Sequence, residues 1–99
     1  PLPQLAVIVP PAPANFTVTS PAPGIFNLTW DIDDPAVVSY YRLYYRDPIF
    51  FQLTFADTTA STSLQFDVGV AITDILWGVS SVTIENVEGG IVYASVGNP

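Results

Sequence analysis

The chain of 99 residues contains no cysteine, histidine, methionine or lysine, and its only cationic side chains are Arg42 and Arg46. Without cysteine there is no disulfide framework and no thiolate chemistry. Without histidine the chain lacks the commonest general base and the commonest transition-metal ligand. Serine hydrolysis would have neither a histidine nor a lysine as its base. The sequence therefore predicts a protein that is not an enzyme and that has no cofactor.

Negative charge dominates, since the formal net charge is −7. Nucleic-acid binding needs a basic footprint, and an anionic membrane surface would repel this chain in the same way. No apolar run approaches the ~20 residues of a membrane-spanning helix. We therefore expect no nucleic-acid partner and no membrane insertion. Abundant Thr, Ser, Pro and aromatic residues favour an extracellular or cell-surface location. The start at Pro1 suggests a processed mature chain or an excised domain.

Prolines and glycines divide the chain into short segments in which apolar residues alternate with polar ones. In the clearest segment, GIFNLTWDI, Phe26, Leu28 and Trp30 share one face, which indicates a half-buried strand. Similar segments lie at residues 15–19, 39–46, 49–55, 62–68, 77–86 and 90–96. No helical crossover fits between them, which excludes parallel βαβ units. The pattern predicts an all-β fold, a seven-stranded antiparallel sandwich of two sheets.

The segments SYYRLYYR and IFFQLTF carry most of the aromatic side chains. In both, alternation divides the residues between a core face and a solvent face. The core face is predicted to carry Tyr41, Leu43, Tyr45, Ile49, Phe51, Leu53 and Phe55. The solvent face is predicted to carry Tyr40, Tyr44 and Phe50, with Arg42 and Arg46 beside them. Two interpretations of these outer aromatics stay open: a patch that contacts protein or sugar, or cross-strand pairs that stabilise an exposed sheet.

The residue order PANFTVT, LTWD, YYRLYYR, TSLQF and WGVSSV resembles a fibronectin type III domain over residues 11 to 97. The most specific part is a tryptophan, Trp30, followed 11 positions later by the Tyr-x-Leu-x-Tyr strand that begins at Tyr41. The resemblance implies an immunoglobulin-like sandwich in which Trp30, Tyr41, Leu43 and Tyr45 join the two sheets. Residues 1–10 would form an extra N-terminal apolar strand with a Pro-rich linker, and residues 11–99 the domain.

Two departures from that family pattern lie near the sixth strand. The usual Leu-x-Pro-Gly stretch and tyrosine are replaced by VGVAITDILWG, with Trp77 nearest the tyrosine position. Apolar residues of both parities follow, so we expect a β-bulge near Gly78–Ser81. The loop ENVEGG lacks the Arg-Gly-Asp tripeptide of the integrin-binding members. The sequence does not support integrin recognition by that route.

Two further sets of residues have ordinary chemical interpretations. Asp31, Asp33 and Asp34 are oxygen ligands of the type that calcium prefers, but the glycine and the terminal acidic ligand of a calcium loop are missing. A solvated turn before a proline is the favoured interpretation, and no metal site is predicted. Asn15 and Asn27 stand in glycosylation acceptor patterns, and their use would depend on the host.

The N-terminal segment Leu5–Val9 is apolar at five successive positions, so as a strand it requires cover on both faces. Prolines on either side prevent helix and hold its flanks extended. The segment can dock on its own sandwich, be donated to the sheet edge of a neighbouring copy, or remain a linker. Leu5, Val7, Ile8 and Val9 are therefore candidate partner-binding residues, together with Tyr40, Tyr44 and Phe50.

These observations predict a non-catalytic β-sandwich module of an extracellular or cell-surface protein, with a structural or adhesive role. Its partners would be proteins, either neighbouring copies or flanking domains, and a glycan is a further candidate. The sharper version is a self-assembling filament or layer subunit that donates Leu5–Val9. The competing prediction is an accessory or spacer domain of a secreted enzyme, such as a glycan hydrolase or a protease.

Overall fold

A computed structural model describes residues 9–46, 51–71 and 74–96 of the chain. Within these ranges it contains seven strands, in chain order β1 (Ala14–Ala22), β2 (Ile25–Asp31), β3 (Tyr40–Arg46), β4 (Leu53–Thr59), β5 (Ser63–Asp67), β6 (Leu76–Val82) and β7 (Val92–Ala94). A short 3-10 turn, Pro35–Val37, precedes β3. The strands form a sheet of order β1-β2-β5 and a sheet of order β4-β3-β6-β7. The predicted all-β sandwich is confirmed.

The core lies between the two sheets and is built by alternate residues of the strands. Trp30 of β2 meets Tyr41 of β3 edge to face, with ring centroids 5.2 Å apart, so this pair connects the sheets. Leu43 is fully buried, and Tyr45 is partly buried against the core. The four core residues implied by the sequence resemblance are therefore confirmed. No helix in the described part of the chain is long and apolar enough to cross a membrane.

Trp77 of β6 is the centre of the largest aromatic cluster. Its ring lies 5.2 Å from that of Phe26, 5.5 Å from that of Phe66 and 5.7 Å from that of Tyr45, measured between centroids. The first two neighbours belong to the opposite sheet, so Trp77 holds β2 and β5 against β3 and β6. The side chain is completely buried.

Strand β6 is regular, so the expected bulge near Gly78–Ser81 is wrong. The pairing of β6 with β3 continues without a shift from Leu76 to Val82. Both faces of β6 are buried because later residues cover its outer side: Ile91 and Tyr93 close over Gly78, and Glu88 contacts Ser80. Buried residues therefore occur at both odd and even positions of β6 while its pairing with β3 stays in register.

A bulge occurs instead between β3 and β4. Leu43 pairs with Asp57, but the next residue, Tyr44, pairs with Phe55, which leaves Ala56 as the extra residue. A slip of one residue turns the following side chains to the opposite face of the sheet. The prediction that Phe51, Leu53 and Phe55 face the core is therefore wrong. These side chains are 70%, 44% and 54% exposed.

The linker before β1 lies against the loop between β6 and β7. Pro10 is buried and approaches Gly89 so closely that a Cβ on the glycine would lie 2.6 Å from the Pro10 carbonyl oxygen. Val9, the first described residue, is 67% exposed. The predicted partner-binding residues Leu5, Val7 and Ile8 lie outside the described residues, as do Ile49 and Phe50.

Candidate contact face on the four-stranded sheet

The outer surface of the four-stranded sheet carries the most concentrated group of aromatic and charged side chains. We name it the tyrosine face and define it by Tyr40, Arg42, Tyr44, Phe55 and Glu88. The first three alternate on β3 and point away from the core, because Tyr41 and Leu43 between them point inward. The bulge in β4 adds Phe55 beside Tyr44. The loop between β6 and β7 contributes Glu88.

Glu88 is held by three side chains. The Tyr44 hydroxyl donates to Glu88 Oε2 at 2.5 Å, the Ser80 hydroxyl donates to the same oxygen, and Arg42 Nη1 lies 3.4 Å from Oε1. Ser80 is fully buried and the side chain of Glu88 is about a quarter exposed. The carboxylate is therefore fixed in position, because charge-assisted hydrogen bonds of this kind are strong.

A second set of bonds orients Tyr40. Its hydroxyl donates to Asn86 Oδ1 at 3.2 Å and accepts from Arg42 Nη2 at 3.4 Å. The Arg42 guanidinium carbon lies 5.9 Å from the centroid of the Tyr40 ring, within the range of a cation–π contact. Arg42 therefore links Tyr40 to Glu88, and the polar groups of the face form one connected network.

Tyr44 and Phe55 form an aromatic corner at the other side of the network. Their ring centroids are 6.0 Å apart and the ring planes are inclined by 74°. The corner opens into a shallow cleft of about 720 Å³, lined by Tyr40, Arg42, Tyr44, Phe55 and Thr58. Apolar rings beside a few fixed polar groups are typical of small-ligand sites.

The pKa shifts in the network keep the Glu88 carboxylate ionised. Partial burial pushes the pKa of Glu88 upward, but the hydrogen bonds from Ser80 and Tyr44 and the charge of Arg42 outweigh it, so the pKa lies below its usual value of 4.5. Burial and the bond to Glu88 raise the pKa of Tyr44. At neutral pH Glu88 is therefore ionised, and it already accepts three hydrogen bonds. Such a group is a poor proton donor and a weak base.

The lowered pKa of Glu88 predicts a specific loss of stability in acid. The ionised form is favoured in the folded state, so its contribution is complete above the unfolded pKa near 4.5 and is lost as the pH falls through the lowered folded pKa. We expect the stability advantage of the wild type over Glu88→Gln to shrink as the pH falls from 4.5 through the acid range. Urea denaturation across that range measures the difference.

The matched control for this experiment is Glu85→Gln, which removes an exposed carboxylate from the same loop. It corrects for the change in net charge. If the difference in the free energy of unfolding between the wild type and Glu88→Gln does not change across the acid range, the hydrogen-bonded carboxylate described above is contradicted.

The structure brings Tyr40 and Tyr44 together on one face, as the alternation predicted, while Phe50 lies outside the described residues. Sequence reasoning missed Phe55, which it assigned to the core, and Glu88, which it did not single out. No signal in the β4 sequence marks the bulge. Glu88 directly precedes Gly89 and Gly90, and only the fold of that loop brings it over β3.

The acceptor asparagines and the acidic turn lie away from the tyrosine face. Asn15 has φ of 53° and donates through Nδ2 to Asp31 Oδ2 at 2.9 Å. Asn27 is half-buried on the outer side of β2 and accepts from Gln65 Nε2 at 3.0 Å. Glycosylation of either asparagine stays a prediction.

The acidic turn gathers no ligand cluster in the structure. Asp33 and Asp34 are exposed. Across residues 9–46, 51–71 and 74–96 no three acidic side chains are grouped as metal ligands. That the turn is only solvated stays a prediction.

An apolar groove of about 350 Å³ lies at one end of the sandwich, between the 3-10 turn and the loop after β6. Val37 and Val38 form one wall, and Ile84 and Val87 form the other. The groove has no hydrogen-bonded network like that around Glu88, so the tyrosine face is the better-defined candidate site.

Comparison with solved structures shows that the chain has the fibronectin type III fold. The structure named FN3tt shares 18% sequence identity at a TM-score of 0.73, over 90% of this chain and 94% of that one. An Fn3-like protein from Clostridium thermocellum shares 24% at a TM-score of 0.71, over 93% and 96%. The fold predicted from the sequence is confirmed. No family model and no curated protein sequence matches the chain.

The fold also occurs as one part of much larger proteins. In the Endo-D glycoside hydrolase of Streptococcus pneumoniae R6 the match covers 90% of this chain but 15% of the enzyme's chain, at 13% identity and a TM-score of 0.71. In the structure of titin kinase and its flanking domains it covers 92% of this chain and 18% of that one, at 13% identity and a TM-score of 0.72. The same sandwich is thus a module within multidomain chains.

Proposed function

We propose that the protein is a non-catalytic module with a structural and adhesive role on the outside of a cell. The observation that carries this proposal is the tyrosine face, an exposed aromatic surface with a fixed polar network. Phe55 and Tyr44 are adjacent aromatic rings beside this network, and an aromatic patch rimmed by polar groups is typical of a contact surface. Contact with a partner is the function that this arrangement supports best.

The structural part of the role is assigned to Leu5–Val9 as a strand donated to a neighbouring copy. Two features support it. Pro10 lies against Gly89, in the loop that carries Glu88, and Val9 beside it is exposed. Strand β4 is an edge of its sheet and exposes Leu53, against which the apolar side chains of an added strand can pack.

The second candidate function is that of an accessory or spacer domain in a secreted enzyme. It is favoured by the likeness to one part of a streptococcal glycoside hydrolase. In that role the tyrosine face would still bind a partner or ligand, whereas Leu5–Val9 would connect the module to a preceding domain.

Sedimentation velocity over about a hundredfold range of concentration tests the donated strand. The wild-type chain is expected to associate as its concentration rises. Val7→Asp is expected to stay monomeric, because a carboxylate cannot be buried unpaired between strands. The matched control is Val70→Asp, which adds the same charge at an exposed valine and is expected to associate like the wild type.

Two results would contradict the donated strand. One is a wild-type chain that remains monomeric over the whole range. The other is a Val7→Asp chain that loses thermal stability to the same extent at every concentration, which indicates a strand docked on its own domain.

A further inference from the structure

We propose that the tyrosine face binds a neutral glycan, with one pyranose ring stacked on Phe55 and its hydroxyl groups hydrogen-bonded to the Arg42–Glu88 network. The inference rests on the proposed function, since it names the ligand of the surface to which that function assigns adhesion. Three observations carry it: the shape of the aromatic corner, the hydrogen-bonding capacity left in the network, and the balance of charge.

The aromatic corner has the shape that a sugar ring requires. A pyranose has an apolar face of C–H groups and an edge of hydroxyl groups. Phe55 is 54% exposed, so its ring is available for stacking, and Tyr44 stands nearly perpendicular to it. The cleft beside this corner is shallow and open to solvent, so it can take a ligand that lies along the surface. A ring stacked on Phe55 would direct its hydroxyl edge toward Arg42 and Thr58, which line the same cleft.

The network retains both hydrogen-bond acceptors and hydrogen-bond donors. The hydroxyl protons of Tyr44 and Tyr40 are directed to Glu88 and Asn86, which leaves lone pairs on both phenolic oxygens. Arg42 still has N–H groups beyond those that contact Glu88 and Tyr40. Sugar hydroxyls both donate and accept, so they can use both kinds of group. A proline-rich peptide offers mainly carbonyl acceptors, so it would use the N–H groups of Arg42 but leave the phenolic oxygens without a donor.

The charge of the face selects against ions. Arg42 and Glu88 neutralise one another, so an anionic ligand finds no uncompensated cation. It would also approach a chain of net charge −7. A cationic ligand finds no free carboxylate in the network, because Glu88 is paired with Arg42, and Arg42 already occupies the position over the Tyr40 ring. A neutral ligand with many hydroxyl groups fits the remaining requirements.

Titration of the full ¹⁵N-labelled chain with four neutral hexasaccharides tests the proposal, using cellohexaose, chitohexaose, mannohexaose and xylohexaose as probes. At least one is expected to shift the amide signals of β3, β4 and the Glu88 loop. Phe55→Ala is expected to weaken that binding by about tenfold or more, because it removes the stacking surface. The matched control is Phe51→Ala, a more exposed phenylalanine outside the cleft, which is expected to bind like the wild type.

The proposal would be overturned by no binding of any probe at concentrations up to about 10 mM, by equal binding of Phe55→Ala, or by signals that shift on the other sheet. A proline-rich peptide titrated in parallel should leave the face unchanged, and its binding there in place of every sugar would also overturn it. The proposed function is judged separately. If Phe55→Ala alters association with protein while no sugar binds, the face remains a contact surface and only the glycan is wrong.

Discussion

Replacing Trp77 with alanine is expected to lower the free energy of unfolding by about 3–5 kcal/mol. The side chain is fully buried and contacts the rings of Phe26, Tyr45 and Phe66, so its removal leaves a cavity between the two sheets. Its indole nitrogen has no hydrogen-bond partner in the described part of the chain, so the loss comes from packing. A domain of ordinary stability has about 5–15 kcal/mol in total, so the variant would be close to unfolded.

Urea denaturation of the Trp77→Ala and Trp77→Phe variants measures this effect. The phenylalanine variant is expected to retain a large part of the stability, because its ring still fills much of the space. A loss below about 1 kcal/mol for the alanine variant would mean that Trp77 is not the centre of the core.

Gly24→Ala is expected to destabilise the domain by more than about 2 kcal/mol. Gly24 follows Pro23 in the two-residue turn that joins β1 to β2, and its φ is +83°, where a side chain is strained. A Cβ there would also lie 2.3 Å from the carbonyl oxygen of Val70, which is backbone and cannot rotate away. The substitution therefore forces apart the β1–β2 turn and the segment after β5.

Gly69→Ala is the matched control for that prediction. Gly69 has nearly the same φ, +81°, but no atom lies within 4 Å of the position that a Cβ would take. The Gly69→Ala variant is expected to lose only the conformational cost of a positive φ, about 1 kcal/mol of the free energy of unfolding. Thermal or urea unfolding of both variants isolates the clash, and equal losses would contradict the close contact of Gly24 with Val70.

Much of the fold follows from local patterns in the sequence. Alternation in β2 and β3 predicts which residues are buried, because a strand places successive side chains on opposite faces. Trp30 and Tyr41 are therefore assigned correctly to the contact between the sheets. In β6 the same reasoning fails, because Glu88, Ile91 and Tyr93 cover the outer side of the strand. Burial by distant residues leaves no periodic signal in the strand itself.

The candidate site depends on the bulge in β4 and on the loop after β6, and the alternation of apolar and polar residues predicts neither of them. Tyr40 and Tyr44 are placed by the pattern of β3, but Phe55 reaches them only because Ala56 is an unpaired extra residue. The sequence LTFAD offers no glycine or proline to mark that bulge. The pairing of Arg42 with Glu88, 46 residues away, likewise depends on how the loop after β6 folds. A binding face assembled in this way becomes visible only in three dimensions.

The neighbours of the Phe55 ring test the central claim most directly, since both proposals depend on a bulge that turns this ring outward. Nuclear Overhauser effects from the ring protons of Phe55 can be measured in the wild-type chain. We expect cross-peaks to the ring of Tyr44, 6.0 Å away between centroids, and none to the buried ring of Trp77. Cross-peaks to Trp77 in place of Tyr44 would mean that Phe55 lies in the core, and the tyrosine face would not exist in the form described.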